Sequence, residues 1–398
     1  MESRRVRLLL CAVAVTGLFT GAWACGSRTD VEVGEVAVEG GTRDGGQPGS
    51  DSERPPVDGG RPDDAFRPPL DSGSDILRPV DAADATPQCI RPDSGGPVTL
   101  ATGQSPQALV LDDTYVYWEN STGSVVEWPL LGCPTKTLPT VLATNADAVS
   151  QLDELAVGNS LVYFADNLGN LDSCLRAGCG ESPNVYWSNT GGVHGLVTDS
   201  NRLYSVMGDG LRAGPLVAEL GELGSEGVTD SYGYALALSS IEVYFPSGAT
   251  ISATPICNVS SDPGCHLKYG DAAAPRRRTV CSSPTLMMGD VPAMVVADNY
   301  VYFTSDADRT SIYQCPSAGG GSPSVFATDV APYGLATDGT SLYWTNYVAS
   351  GAVASCALGA TCSAPSTIAS AQDQPHAMAV NSKSVYWTTI TAVYEAAK

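Results

Sequence analysis

An all-β fold, a seven-bladed β-propeller of four-stranded antiparallel blades, is what this sequence predicts, and three observations predict it. A tyrosine recurs at 117, 163, 204, 244, 302, 343 and 386, at intervals of 46, 41, 40, 58, 41 and 43 residues. Each lies in a short apolar segment that follows a second one across residues such as Asp112-Asp113, Gly158-Asn159, Asp338-Gly339 or Asn381-Ser382, the chemistry of tight hairpins. Helical periodicity is absent throughout. A repeat near 40–45 residues built from short β-rich segments belongs to a propeller blade.

The chain begins with what reads as an address. Residues 1–24 form a secretory signal peptide: Arg4, Arg5 and Arg7, then an apolar run from Leu8 to Phe19, then small residues. That run is too short to span a bilayer, which needs about 20 apolar residues. Ala22-Trp23-Ala24 fits an A-x-A cleavage site for ordinary secretion. Ala22-Trp23-Ala24-Cys25-Gly26 also resembles a bacterial lipobox, which makes Cys25 the lipidation candidate, and Gly26 resembles the pattern of lipoproteins sent to an outer membrane. Residues 25–97 read as a disordered acidic tether. From residue 26 they hold 12 Gly, 10 Pro, 15 Asp or Glu and one aromatic, Phe66, too little apolar surface to offset the entropy of ordering.

Residues 98–398 are expected to form the propeller. The unit near Tyr343 predicts four strands: Gly334–Thr337, Ser341–Thr345, Gly351–Cys356 and Ser366–Ala369. Ser366-Thr367-Ile368-Ala369 is similar to Val98-Thr99-Leu100-Ala101, so the repeat opens on a lone fourth-type strand and ends after three strands of the last unit. Strand 98–103 should therefore complete the last blade and remove an open sheet edge. Val185-Tyr186-Trp187 mimics an eighth copy, but its spacing makes it a fourth strand.

The segments Tyr117-Trp118-Glu119-Asn120 and Tyr343-Trp344-Thr345-Asn346 resemble the repeat of YWTD and NHL-type propellers over about three quarters of the chain. The resemblance implies architecture; those families include receptors, scaffolds, lyases and hydrolases, and the blade count departs from the six-bladed YWTD domains, so no receptor interface is implied.

Cysteine usage points to an oxidising compartment. Cys174 with Cys179, Cys257 with Cys265 and Cys356 with Cys362 are close pairs at third-to-fourth-strand turns, where two arms approach within disulfide range. Cys89, Cys133, Cys281 and Cys315 permit three pairings, of which Cys89–Cys133 and Cys281–Cys315 follow from proximity.

With 43 Asp and Glu against 21 Lys and Arg, the net charge is −22, which argues against nucleic acid as a partner and weakens any grip on an anionic membrane. Propeller ligands bind at the channel mouth, where each inner strand begins. The column there holds Gln107, Asp153, His194, Tyr234, Pro292, Tyr333 and His376, polar or aromatic but for the proline. The next column is small except for Glu154, and an acid beside Asp153 could bind a divalent cation such as calcium or act as a base. The following Leu/Met column, from Leu109 to Met378, reads as core. The run Arg276-Arg277-Arg278, in an insert at roughly 257–285, is a local positive spot, either a solvated loop or a dock for an acidic partner.

These observations predict a cell-envelope protein, lipid-anchored (at an outer membrane) or secreted, whose propeller binds an envelope protein or glycan without catalysis and meets the membrane only through its anchor. A metal-assisted lyase or hydrolase at the channel mouth, on Asp153, Glu154, His194 and His376, is the enzymatic alternative; seven-bladed lyases that use His and Glu with a divalent metal are distantly similar. A purely structural envelope component is the third.

Overall fold

Strands that are buried on both faces read as near-continuous apolar runs, and the Tyr-Trp segments are of that kind. A computed structural model describes residues 96–130, 138–144, 155–165, 170–188, 192–207, 210–216, 235–256, 277–283, 291–359 and 361–398. Among these, the regular elements are strands, in seven antiparallel sheets; six have four strands, and the third has three described. The protein is a seven-bladed β-propeller. Blade six runs Pro332–Thr337, Ser341–Asn346, Gly351–Ala357, Ser366–Gln372 from axis to rim, each strand within a few residues of expectation. Asn184–Trp187 is the outer strand of blade two, as its spacing predicts.

Closure is also as the repeat predicts. Val98–Thr102 is the outer strand of the last blade, beside Ala392–Ala397, with Val98 opposite Glu395 and Thr102 opposite Ala392. The expected leader, Cys25 and nearly all of the tether lie outside the described residues. So do Cys257 and Cys265, expected as a disulfide pair, and Cys89 and Cys133, expected as another.

Adjacent residues of a strand point to opposite faces, so Tyr and Trp of one motif serve two different seams. Tyr117 packs with Leu142, Leu155 and Phe164 toward blade two, while Trp118 packs with Leu109, Tyr386 and Val393 toward blade seven. Each fully buried aromatic ring contributes roughly 1.5–3 kcal/mol relative to exposure. The indole N–H groups find acceptors across the same seams: Trp344 donates to Asp329 Oδ2 (2.7 Å) and Trp387 to Gln372 Oε1 (3.0 Å).

In three blades the recurring tyrosine closes a hydrogen-bonded hairpin device. Asp338 Oδ1 accepts the backbone N–H groups of Thr340 and Ser341, closing the hairpin, and Tyr343 donates its hydroxyl to Asp338 Oδ2 at 3.0 Å. Asp112 with Tyr117 and Asp199 with Tyr204 repeat this at 2.9 Å each. Burial, then the Asp338 carboxylate, pushes the Tyr343 phenol up to about 12. Blades two and five keep the same strand register with a different turn. There Asn159-Ser160 (φ +48° and +65°) and Asp298-Asn299 (φ +46° and +63°) occupy the left-handed region of a type I′ turn.

Outer edges are covered by the next blade's loop. The N–H groups of Cys179 and Gly180 donate to the Leu142 carbonyl, that of Gly320 to Val280 and that of Cys362 to Phe326. The disulfides Cys174–Cys179 and Cys356–Cys362 brace two of these loops, and Cys281–Cys315 joins blade four to blade five. In the described part of the basic run, Arg278 is half-buried and Arg277 exposed, and both contact the fold. Arg278 binds Glu242 and the Ser317 carbonyl, and Arg277 lies 5.5 Å from the Phe245 ring centre and donates to Ser252 and Ser247.

Candidate ligand site at the channel mouth

The inner strands converge on a central channel, and a cavity of about 560 Å³ opens within it. Ala108, Gly195, Ala235, Ala293, Gly334 and Ala377 supply the small wall that crowding at the axis requires. At Gly334 the need is explicit: a Cβ there would sit 2.0 Å from the His376 carbonyl oxygen. The Leu/Met column is buried behind the mouth and forms the deeper wall.

Of the sequence-predicted mouth residues, Gln107, Pro292, Tyr333 and His376 line this cavity. Threonines two positions after the motif tyrosine fix two of them by their backbones. Thr304 of blade five donates to the Tyr333 carbonyl and Thr345 of blade six to that of His376, each at 2.8 Å. The Gln107 side chain is exposed, its amide 3.4 Å from the Ser105 carbonyl. His376 is buried; its Nδ1 lies 3.0 Å from the Gln374 carbonyl oxygen and its Nε2 2.7 Å from that of Pro106. His194 sits half-buried on Val193–Thr198 beside Gly192, and this strand gives the cavity Gly195 and Leu196. Asp153, Glu154 and Tyr234 lie outside the described residues. Among the described residues no three His, Cys, Asp or Glu side chains are grouped to hold a metal ion.

Three lining residues were not anticipated: Asp306, Tyr347 and Ile390, from the turns between second and third strands. Each stands four positions after a motif tyrosine (Tyr302, Tyr343 and Tyr386). Tyr347 is the pivot of an aromatic wall. Its ring centre is 5.0 Å from that of Tyr333 at 32°, and it meets the His376 ring edge-on at 6.0 Å. Asp306 adds a carboxylate, held on one side by Arg309 at 3.0 Å. Among the described residues, blades five to seven bring large side chains to the mouth: Asp306, Tyr333, Tyr347, His376 and Ile390.

No family model matches the sequence, and no curated protein matches it. Solved structures similar to the chain include virginiamycin B lyase from Staphylococcus aureus (12% identity, TM-score 0.53, 75% of this chain and 97% of that one). The WD40 β-propeller domain of Doa1 (14%, 0.54, 75% and 97%) and YCF48 bound to D1 peptide (10%, 0.53, 76% and 94%) are similar to the same degree. At these identities the likeness is one of fold, and it establishes the propeller alone.

Proposed function

We propose that this chain is a cell-envelope protein that works by recognition, binding a protein or glycan partner at the channel mouth. The observation that carries this is the wall of Tyr333, Tyr347, His376 and Gln107 at the open end of a channel. Half-buried aromatic rings that line a cavity beside a few polar groups bind ligands without needing to change them. The contacts of His376 favour recognition over the metal-assisted alternative. Both ring nitrogens face backbone carbonyls, so the ring staples a seam instead of presenting a free base or ligand. Among similar folds, YCF48 is bound to a peptide, which is in keeping with a peptide or protein partner here.

In this proposal residues 1–24 direct export, Cys25 carries the lipid and residues 25–97 space the propeller from the membrane. The binding test is a screen of envelope proteins and glycans against the wild-type chain and a double variant, Tyr333→Ala with Tyr347→Ala. Retention of a partner by wild type and loss by the double variant is expected; equal binding by both would place recognition elsewhere. Cys25→Ala should lose incorporation of radiolabelled palmitate and leave the membrane fraction, whereas a variant that stays there unlabelled would end the lipid-anchor proposal.

A further inference from the structure

The geometry points to a cationic side chain, an arginine or lysine of a protein partner, as the group the mouth accepts between Asp306 and the rings of Tyr333 and Tyr347. This rests on the recognition role proposed above and names its ligand chemistry. Elsewhere the propeller shows three times what it sets against an acid paired with a tyrosine. Asp112 and Tyr117 receive Arg176, 2.9 Å from the carboxylate and 6.0 Å from the ring centre. Asp338 and Tyr343 receive Lys398, at 2.6 Å and 5.3 Å. Glu242, which accepts the Tyr244 hydroxyl, receives Arg278 with Nε at 2.8 Å. The carboxylate supplies charge, and in the first two the ring face adds its quadrupole.

At the mouth an acid and two tyrosines line one cavity of about 560 Å³. The cation near Asp306 is Arg309, three residues along the same loop, on Oδ1 only and with a side chain 55% exposed. Ion pairs so exposed are weak enough to exchange partners. Long-range charge favours the approach: after residue 97 the chain carries 27 Asp and Glu against 11 Lys and Arg. An arginine or lysine on a protein surface fits all three features; a neutral sugar would use only the rings.

The test is titration calorimetry of the full chain with acetyl-Gly-Arg-Gly-amide, its lysine counterpart and the citrulline peptide, a neutral isostere of arginine. The arginine peptide should bind at least about tenfold more tightly than the citrulline one, and weaken as salt is raised. Asp306→Asn and Tyr347→Leu should each weaken it about tenfold, and Arg309→Ala should tighten it severalfold. Thermal unfolding of each variant checks that the fold persists. Citrulline binding as well as arginine, or Asp306→Asn without effect, overturns the cation assignment. In that case a neutral peptide or chitotriose whose binding is lost in Tyr347→Leu alone would leave the recognition role standing. Indifference of every probe to every mouth variant would overturn both.

Discussion

His376 Nε2 lies 2.7 Å from the carbonyl oxygen of Pro106, joining residues 270 positions apart across the seam between blades seven and one. Pro106 opens the inner strand of blade one, and His376 lies just before that of blade seven. The contact therefore ties the two blades that meet where chain ends are sutured. Its backbone is tied as well, the N–H to Thr388 and the carbonyl to Thr345.

The His376→Ala variant tests this role. It removes the ring contacts that bridge the seam, the one to the Pro106 carbonyl among them, a cost of about 1–3 kcal/mol. For a domain of this size that is a fall of several degrees in Tm, at roughly 2–4 °C per kcal/mol. A Tm unchanged by the substitution would mean that the ring is not a staple, and would reopen it as a binding or catalytic group.

The hairpin device separates in a second experiment. Tyr343→Phe removes one hydrogen bond and should cost about 1 kcal/mol, while Asp338→Ala also frees two turn N–H groups and Lys398, for about 2 kcal/mol or more. Ser160→Gly, in a left-handed turn position of blade two, should by contrast be neutral or stabilising within about 1 kcal/mol. Equal losses at 160 and 338 would show that the two turn types do not divide as described; urea unfolding midpoints measure all three.

Those two turn types explain how much was legible. Both hairpin solutions keep the same strand register, so the tyrosine spacing survived a change in turn chemistry and exposed all seven blades. The closing strand was legible because Val98-Thr99-Leu100-Ala101 shares its pattern with outer strands. At the site, Gln107, Tyr333 and His376 were legible as a column because an inner strand always follows them. Asp306, Tyr347 and Ile390 were not. Their column reads Ser121, Asn167, Gly208, Gly248, Asp306, Tyr347 and Ile390, fixed in distance from the motif tyrosine but without chemical likeness, because turns need not pack. Proximity alone suggested the pair Cys281–Cys315, whose role in joining two blades needed coordinates.

Acid should loosen the fold. Hydrogen bonds from Arg278 lead in holding Glu242 below its ordinary value. Burial alone would raise Asp308 and Asp338, but donors outweigh it: Thr310 and Tyr313 for the first, Lys398, Thr340 and Ser341 for the second. A carboxyl depressed on folding stabilises the native state above its unfolded pKa, and that stability is lost as pH falls through the folded value. The contribution should be complete above about pH 5 and fade below about pH 4. In Asp338→Asn the drop in Tm between pH 5 and pH 3 should shrink; a drop as steep as wild type would assign the acid sensitivity to other groups.

Ring closure makes the sharpest demand on the chain. A protein beginning at Gly96 keeps the strand Val98–Thr102, and one beginning at Gln104 loses it, leaving Ala392–Ala397 with a row of unpaired N–H and C=O groups. The longer protein should unfold cooperatively as a monomer. The shorter one also uncovers Val393 and Tyr386, which pack with Ala101, and an open edge beside apolar side chains is a template for self-pairing. It should melt several degrees lower and associate in sedimentation, and a peptide of residues 96–103 added in trans should reverse both. A shorter protein that remains monomeric and equally stable would mean that three strands close the last blade unaided, and that the N-terminal strand is ornament rather than suture.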